Sequence, residues 1–362
     1  MKNFLLKTSL LVLGFLAIAA FKNKKNVDYE KNMDKPISLN MDIPQPEELG
    51  DVNWLRDYDK AVAASNQTNK PILILFQEVP GCSTCRGYGN NVLSHPLIVE
   101  AIEESFVPLA IHNNKGGKDK RILDSFGEPS WNNPVVRIID TERNALTPRI
   151  AGRYDESSLV RGMVASLENA KRPVPQYLQL LKEHLSAKTG YTEKATFGMY
   201  CFWTGEAKLG SIPGVVDSEP GFMGGSEVVS VTFDPNVVSY EDLVAQANKK
   251  NAFDRVFTHS VDQKQKAQNL VKSSNIRKGQ SFRADGQPKY YLLHSPYRLI
   301  PMLPNQASRV NTAVGSRRNA NEFLSPKQLE ILTYIKNNPN KGWENVYEKP
   351  FLAAWDQINS QI

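Results

Sequence analysis

Cysteine and histidine are scarce: three cysteines and five histidines among 362 residues. A closed tetrahedral zinc site needs four such ligands. His95, His112, His184, His259 and His294 show no metal-type spacing, so the pattern assembles no structural zinc centre. Glycine-rich phosphate loops, nucleotide fingerprints and internal repeats are also missing, and nothing points to nucleotide-dependent chemistry. Charge of one sign is not concentrated. The net charge is +6, yet basic residues run along the whole chain with only short clusters, at Lys22–Lys25 and Ser316–Arg318. That dispersal fits solvated lysines rather than a nucleic-acid surface, and no nucleic-acid partner is expected. The apolar run Leu10–Phe21 spans 12 residues, too few for an ordinary membrane-spanning helix and about the length of a secretory signal core.

What is present centres on Pro71–Tyr88, PILILFQEVPGCSTCRGY. Pro71–Phe76 reads as a short buried strand, Pro80 and Gly81 break it, and Cys82 and Cys85 stand where a helix should begin. Unpaired amides and the positive end of the helix dipole would favour a thiolate at Cys82. Cys85, one turn on, would then resolve a mixed disulfide formed at Cys82. Half of a zinc site is a second reading, but the further ligands are missing. An inert structural disulfide is a third, open to an exported protein. The strand, turn and helix context favours redox chemistry.

These residues resemble the thioredoxin-like family. Lys70–Leu75, Cys82 and Cys85, and Val92–Ile111 are similar to its central strand, redox helix and following helix and strand. Val79-Pro80-Gly81-Cys82 resembles a selenoprotein-related branch in which selenocysteine often takes the first position; here it is cysteine. Asn133-Pro134 before VVRIID is similar to the family's cis-proline, which implies that Pro134 faces the dithiol and helps to bind an extended client; an ordinary turn proline is the alternative. The resemblance covers about residues 52–181.

Hydrophobic residues make up 41% and charged residues 23%, as in soluble proteins with real cores, and the length calls for two or three domains. Lys2 and Lys7 precede the apolar run, and Ala17-Ile18-Ala19 offers a cleavage site. Residues 1–25 are therefore expected to be a signal peptide or membrane anchor. Export follows, to the periplasm or to an anchored position on the outer side of the inner membrane. Residues 26–50 are polar and proline-dotted and read as a linker. Within the first domain, 51–187, helices are expected over Trp54–Ala64, Ser157–Lys171 and Val174–Ala187.

The second domain, 193–305, resembles peptide methionine sulfoxide reductase A. The matching pieces are Cys201-Phe202-Trp203, Pro213–Val216, Gly221–Gly225, Ser226–Val229, Phe233-Asp234-Pro235 and Ser239-Tyr240-Glu241, with a weaker match over Gln287–Tyr297. The resemblance implies Cys201 as nucleophile, Phe202 and Trp203 as the pocket for the substrate methyl group, and Glu227 as proton donor, a carboxyl raised in pKa by burial beside aromatics. Thiolate attack on the sulfoxide sulfur with protonation of its oxygen would release methionine and leave a sulfenic acid. The chain also departs from the family. Tyr200 and Thr204 replace two glycines around Cys201-Phe202-Trp203, and Gly225 nearly abuts Glu227, so the segment that carries one family tyrosine is missing. A second family tyrosine motif has only Asp254-Arg255 as counterpart. If each lost donor costs about 3 kcal/mol in the transition state, two would cost orders of magnitude in rate. Tyr290, Tyr291 and Tyr297 are the candidates to replace them in space. An inert cysteine in a degenerate domain is the alternative for Cys201.

The only dithiol of the chain lies in the other domain, so Cys82 would attack the sulfenic acid at Cys201 and Cys85 would resolve the product. Residues 306–362 read as a helical extension, with a helix opening at Ser325-Pro326 and a second over Trp343–Ile362. The expected architecture is α/β and α+β: a thioredoxin-like domain followed by a truncated ferredoxin-like domain of the reductase A type. The expected function is reduction of peptide-bound methionine (S)-sulfoxide. The alternative is a thiol-disulfide oxidoreductase whose second domain is catalytically weak or binds clients. No cofactor and no metal are called for beyond the redox cysteines. Expected partners are oxidised peptides or proteins and an upstream thiol reductant, with possible membrane attachment through the N-terminal segment.

Overall fold

The computed structural model describes residues 45–362. The expected leader and most of the expected linker lie outside the described residues. The last residues of that linker are packed structure. Glu47–Leu49 form a 3-10 turn in which Glu48 and Leu49 are buried. Gly89 lies so close beneath the turn that a Cβ there would come to 1.8 Å of the Glu47 carbonyl oxygen. The expected linker therefore ends earlier: side-chain burial, which polarity alone does not report, ties 45–50 to the first domain.

The first sheet begins at β1 (Ile72–Gln77), preceded by α1 (Tyr58–Thr68). Asp57 caps α1 by accepting from the amides of Asp59 and Lys60, so the helix starts four residues after the expected Trp54. Trp54 is instead buried in the core, and Leu55 makes an isolated parallel bridge to Leu109. After β1 come α2 (Ser83–Asn91), α3 (Pro96–Ser105), β2 (Val107–His112), α4 (Gly117–Ser125), β3 (Val135–Ile139), β4 (Ile150–Ala151), α5 (Glu156–Asn169) and α6 (Gln176–Thr189). The strand order is β2-β1-β3-β4, with β1 parallel to β2 and antiparallel to β3. Every residue of β1 is buried, as expected for a strand covered on both faces. Leu73 and Leu75 enter one core cluster and Ile72, Ile74 and Phe76 the other, so strand alternation alone separates the two layers.

The second sheet holds β5 (Glu193–Gly198), α7 (Phe202–Leu209), β6 (Val215–Met223), β7 (Ser226–Phe233), α8 (Tyr240–Lys249) and β8 (Arg255–Thr258). Those strands lie in the order β6-β7-β5-β8, which is the split βαβ arrangement of a ferredoxin-like fold. After α9 (Val261–Gln268), β9 (Ile276–Lys278) extends the β8 edge and β10 (Phe282–Ala284) extends the β6 edge. Gly224 and Gly225, at φ +56° and +74°, make the two-residue turn between β6 and β7. Only residues that accept positive φ at both positions close a hairpin this tightly, so the missing family segment is replaced by a bare turn.

The end of the chain is not an appendage. The short α10 (Tyr290–Leu293) leads to α11 (Pro304–Gly315), α12 (Pro326–Asn337) and α13 (Phe351–Gln361). Leu292, Leu299, Ile300 and Met302 share one core with Val310, Ile331, Leu332, Ile335, Trp355 and Ile358, so a boundary at 305 cuts through a core. Ser325 caps α12 with Gln328 in a reciprocal capping box, and Gln328 also bonds Gln306. The expected last helix starts at Phe351 rather than Trp343, since Pro350 precedes its first turn. Contacts across the halves include Asn305 to the Leu180 carbonyl at 2.8 Å and the Lys327 amide to Glu100 at 2.8 Å. No helix among the described residues is long and apolar enough to cross a membrane.

Candidate functional site: two sulfur centres

Cys82 stands at the N-cap of α2 and is exposed, while Cys85 is buried; their sulfurs are 3.7 Å apart. The Cys85 amide, helped by that of Thr84, holds the Cys82 thiol below the ordinary cysteine value. Burial, reinforced by the Cys82 sulfur, pushes the Cys85 thiol up to about 11. An acidic outer sulfur and a reluctant inner one are what a nucleophile and its resolving partner require.

The loop that carries them is held from several sides. Asn114 accepts from the Val79 amide at 3.3 Å and donates to the Pro80 carbonyl at 3.1 Å. The Gly81 amide donates to the buried Glu48 carboxylate at 2.8 Å. Gln77 donates to the Cys85 carbonyl at 3.1 Å and to the Glu48 carbonyl. A Cβ on Gly81 would come to 2.6 Å of the Cys85 Cβ, so this position must be glycine for the loop to fold over the inner cysteine. The Asn133-Pro134 peptide is cis, as is Val79-Pro80. Phe76 faces Val135 across the sheet, which places the buried Pro134 next along from the end of β1, where the dithiol loop departs. Sequence reasoning missed Glu48, Gln77 and Asn114, which lie far from the dithiol in the chain or carry no motif. It also missed Glu78, which brings a carboxylate oxygen within 4.8 Å of both sulfurs and is the only group among the described residues able to complete a metal ligand set with them.

Cys201 occupies the N-cap of α7 and is half-buried, so its sulfur is not sealed in an apolar interior. Glu227 brackets it. The Glu227 carbonyl accepts from the Met199 amide at 3.1 Å, and its Oε2 accepts from the Phe202 amide at 2.9 Å. Glu227 is half-buried and faces Phe222 across the hairpin. Phe202 lies in the core, edge-on to Phe222, and Trp203 is half-exposed with its indole stacked on Tyr290 at 4.0 Å. Asp285 accepts from the Trp203 indole nitrogen at 3.3 Å. Tyr200 is 93% exposed and points away from the core.

Of the three candidate tyrosines, one reaches the hydroxyl that bonds the nucleophile. The Tyr291 hydroxyl is 3.2 Å from Thr204 Oγ1, which is 3.5 Å from Cys201 Sγ. Tyr290 covers Trp203, and Tyr297 is spent on Asn321 at 2.7 Å within the C-terminal core. Thr204, a departure from the family glycine, is thus the link between the sulfur and Tyr291. The tyrosine pair is placed by Lys289, which precedes it at φ +54°. Its buried ammonium bonds Glu206 at 3.1 Å, Asp217 at 3.0 Å and the Ser218 carbonyl. Burial opposes the charge on Lys289, but the two carboxylates outweigh it and keep the ammonium protonated. Nothing in the spacing of Glu206 and Lys289 signals this pair.

The structure does not bring the two sulfur centres together. Cys201 Sγ has Thr204 as its hydrogen-bond partner, and the Cys82 and Cys85 sulfurs have each other. Asn305 near the start of α11 touches α6, whereas Gly315 at its end abuts the Tyr291 ring.

Comparisons with known proteins agree with this division. Residues 53–141 match the family described as thioredoxin-like. The chain is 43% identical over 70 residues to a peptide methionine sulfoxide reductase of a Nostoc species, an alignment covering 15% of this chain and 43% of that protein. It is 36% identical over 107 residues to the Geobacter sulfurreducens enzyme of that name, covering 21% of this chain and 66% of the relative. The chain spans less than half the length of the first curated relatives it matches. Among solved structures, a DsbH oxidoreductase matches at a TM-score of 0.29 and 17% identity, over 36% of this chain and 93% of that one. Methionine sulfoxide reductase A of Corynebacterium diphtheriae matches at 0.21 and 24%, over 22% and 55%. A thioredoxin-like domain is therefore fused to a region similar to the sulfoxide reductases, and both similarities suggest a redox function.

Proposed function

We propose that this thioredoxin-like and reductase-A-like fusion is an exported oxidoreductase that reduces peptide-bound methionine (S)-sulfoxide at Cys201 and uses Cys82 and Cys85 to recycle it. The observation that carries this reading is the hydroxyl relay at Cys201, in which Thr204 bonds the sulfur and meets the Tyr291 hydroxyl, together with Glu227 held on the Phe202 amide next in the chain. The Cys201 thiolate attacks the sulfoxide sulfur while the oxygen takes a proton, with Glu227 and the hydroxyls as donors, and methionine leaves as Cys201 becomes a sulfenic acid. Glu227 Oε2 is taken by the Phe202 amide, which leaves Oε1 for the substrate oxygen. The Cys82 thiolate then displaces water from the sulfenic acid. Cys85 attacks Cys82, frees Cys201 and leaves a Cys82–Cys85 disulfide for an outside thiol to reduce.

Cys82 is exposed and Cys201 half-buried, and their sulfurs share no bond, so the proposed recycling step is open to encounter between molecules. Purified protein supplied with a methionine sulfoxide peptide and a disulfide-reducing donor selective for the Cys82–Cys85 pair tests this. Cys201→Ser and Cys82→Ser should each be silent alone, and mixing them should restore methionine formation. Wild-type protein that makes no methionine even with dithiothreitol, yet reduces insulin, would leave the second reading. In that reading the chain is a thiol-disulfide oxidoreductase whose second half binds clients, and the bare Gly224-Gly225 turn in place of a tyrosine-bearing segment favours it.

A further inference from the structure

We propose that Glu78, Cys82 and Cys85 form a binding site for a thiophilic d10 cation of the zinc or cadmium class when the dithiol is reduced. One ligand atom from each of the three lies within 4.8 Å of the other two. The sulfur separation of 3.7 Å matches the edge of a zinc–thiolate tetrahedron, about 3.8 Å for a bond length of about 2.3 Å. The sulfurs therefore need not move to share an ion. Exposure of Cys82 leaves the fourth position open to water or an outside ligand, so the site is an open one, unlike the closed four-ligand centre that the sequence excludes.

The ligands are placed by bonds that do not use the ligand atoms. Asn114 holds Val79 and Pro80, Glu48 holds the Gly81 amide, and Gln77 holds the Cys85 carbonyl. Binding transfers no electrons. The cation takes two thiolates and one carboxylate oxygen, and the thiol protons leave to solvent. With both sulfurs bound to the ion neither can attack a disulfide, and the Cys82–Cys85 disulfide cannot form until the ion leaves. The site thus makes the dithiol centre sensitive to metal whether or not Cys201 reduces a sulfoxide. A plainer role for Glu78, as a proton acceptor for Cys85 during exchange, predicts slower exchange on its removal and no change in metal binding.

The full chain carrying Cys201→Ser, reduced and titrated with cadmium, separates these, read by sulfur-to-cadmium charge-transfer absorption. We expect one equivalent per chain with a two-thiolate signal, displaced by zinc and abolished both in Cys82→Ser and after oxidation to the disulfide. Adding Glu78→Gln should weaken the affinity by at least about tenfold, with far-ultraviolet circular dichroism unchanged. Equal affinity in Glu78→Gln, a signal that survives oxidation, or no saturation at equimolar protein would each overturn the proposal.

Discussion

The two sulfur centres are built in opposite ways. Around Cys82 and Cys85 the catalytic atoms come from one turn, and distant residues only brace the loop: Glu48, Gln77 and Asn114 bond its backbone. Around Cys201 the atoms that would touch substrate come from three segments, at Cys201–Thr204, Glu227 and Tyr291. The buried Glu206–Lys289 pair, joined by the half-exposed Asp217, sets the last of them in place. A centre contained in one turn tolerates a changed neighbourhood. One assembled from three segments depends on the packing that aligns them.

The sharpest way to break this contrast is to remove the brace at Lys289. Lys289→Met leaves the buried Glu206 carboxyl without its partner, which should cost about 3–5 kcal/mol, measured by chemical denaturation. The double variant Glu206→Gln with Lys289→Met should recover most of that loss. Full stability in the single variant would mean that the cluster does not hold the Cys201 half together.

A second measurement sharpens the description of the dithiol itself. Cys82 titrates below the ordinary value of 9.0 and Cys85 near 11. At about pH 8 the thiolate fraction of Cys82 should therefore exceed that of Cys85 by more than about a hundredfold. Alkylation followed by mass spectrometry should, within the pair, label Cys82 and not Cys85 at that pH and reach Cys85 only as pH climbs toward 11. Equal labelling at neutral pH would show that Cys85 is not protected by burial.

The smallest effect tests the link to Tyr291. Thr204→Val removes the hydroxyl that bonds Cys201 Sγ on one side and the Tyr291 hydroxyl on the other. It should lower sulfoxide kcat about tenfold, equivalent to about 1.4 kcal/mol, with insulin reduction at Cys82 unchanged. An unaltered kcat would show that the hydroxyl pair takes no part.

Much of this was open to reading from residues alone. The strand before Cys82, the helix after it, the Cys201 position between β5 and α7 and the capped start of α12 all follow from apolar runs, breakers and caps within a few residues of one another. The misjudged places share a cause. The 45–50 turn reads as linker because its polar residues are held by a glycine 40 positions away, at Gly89. The boundary at 305 fails because Leu292 and Val310 meet Trp355 only after folding.

The sequence by itself determined the chemistry available: two cysteines at helix-turn spacing, one more before a helix, and the carboxylate of Glu227 in a recognisable stretch. Only the tertiary structure decided which groups meet. It chose Tyr291 over Tyr290 and Tyr297, put Glu78 beside the dithiol, and kept Cys201 away from Cys82. Local backbone preferences act over one or two turns and so are written in neighbouring residues, whereas contacts between distant segments depend on how whole faces pack, which no short stretch encodes.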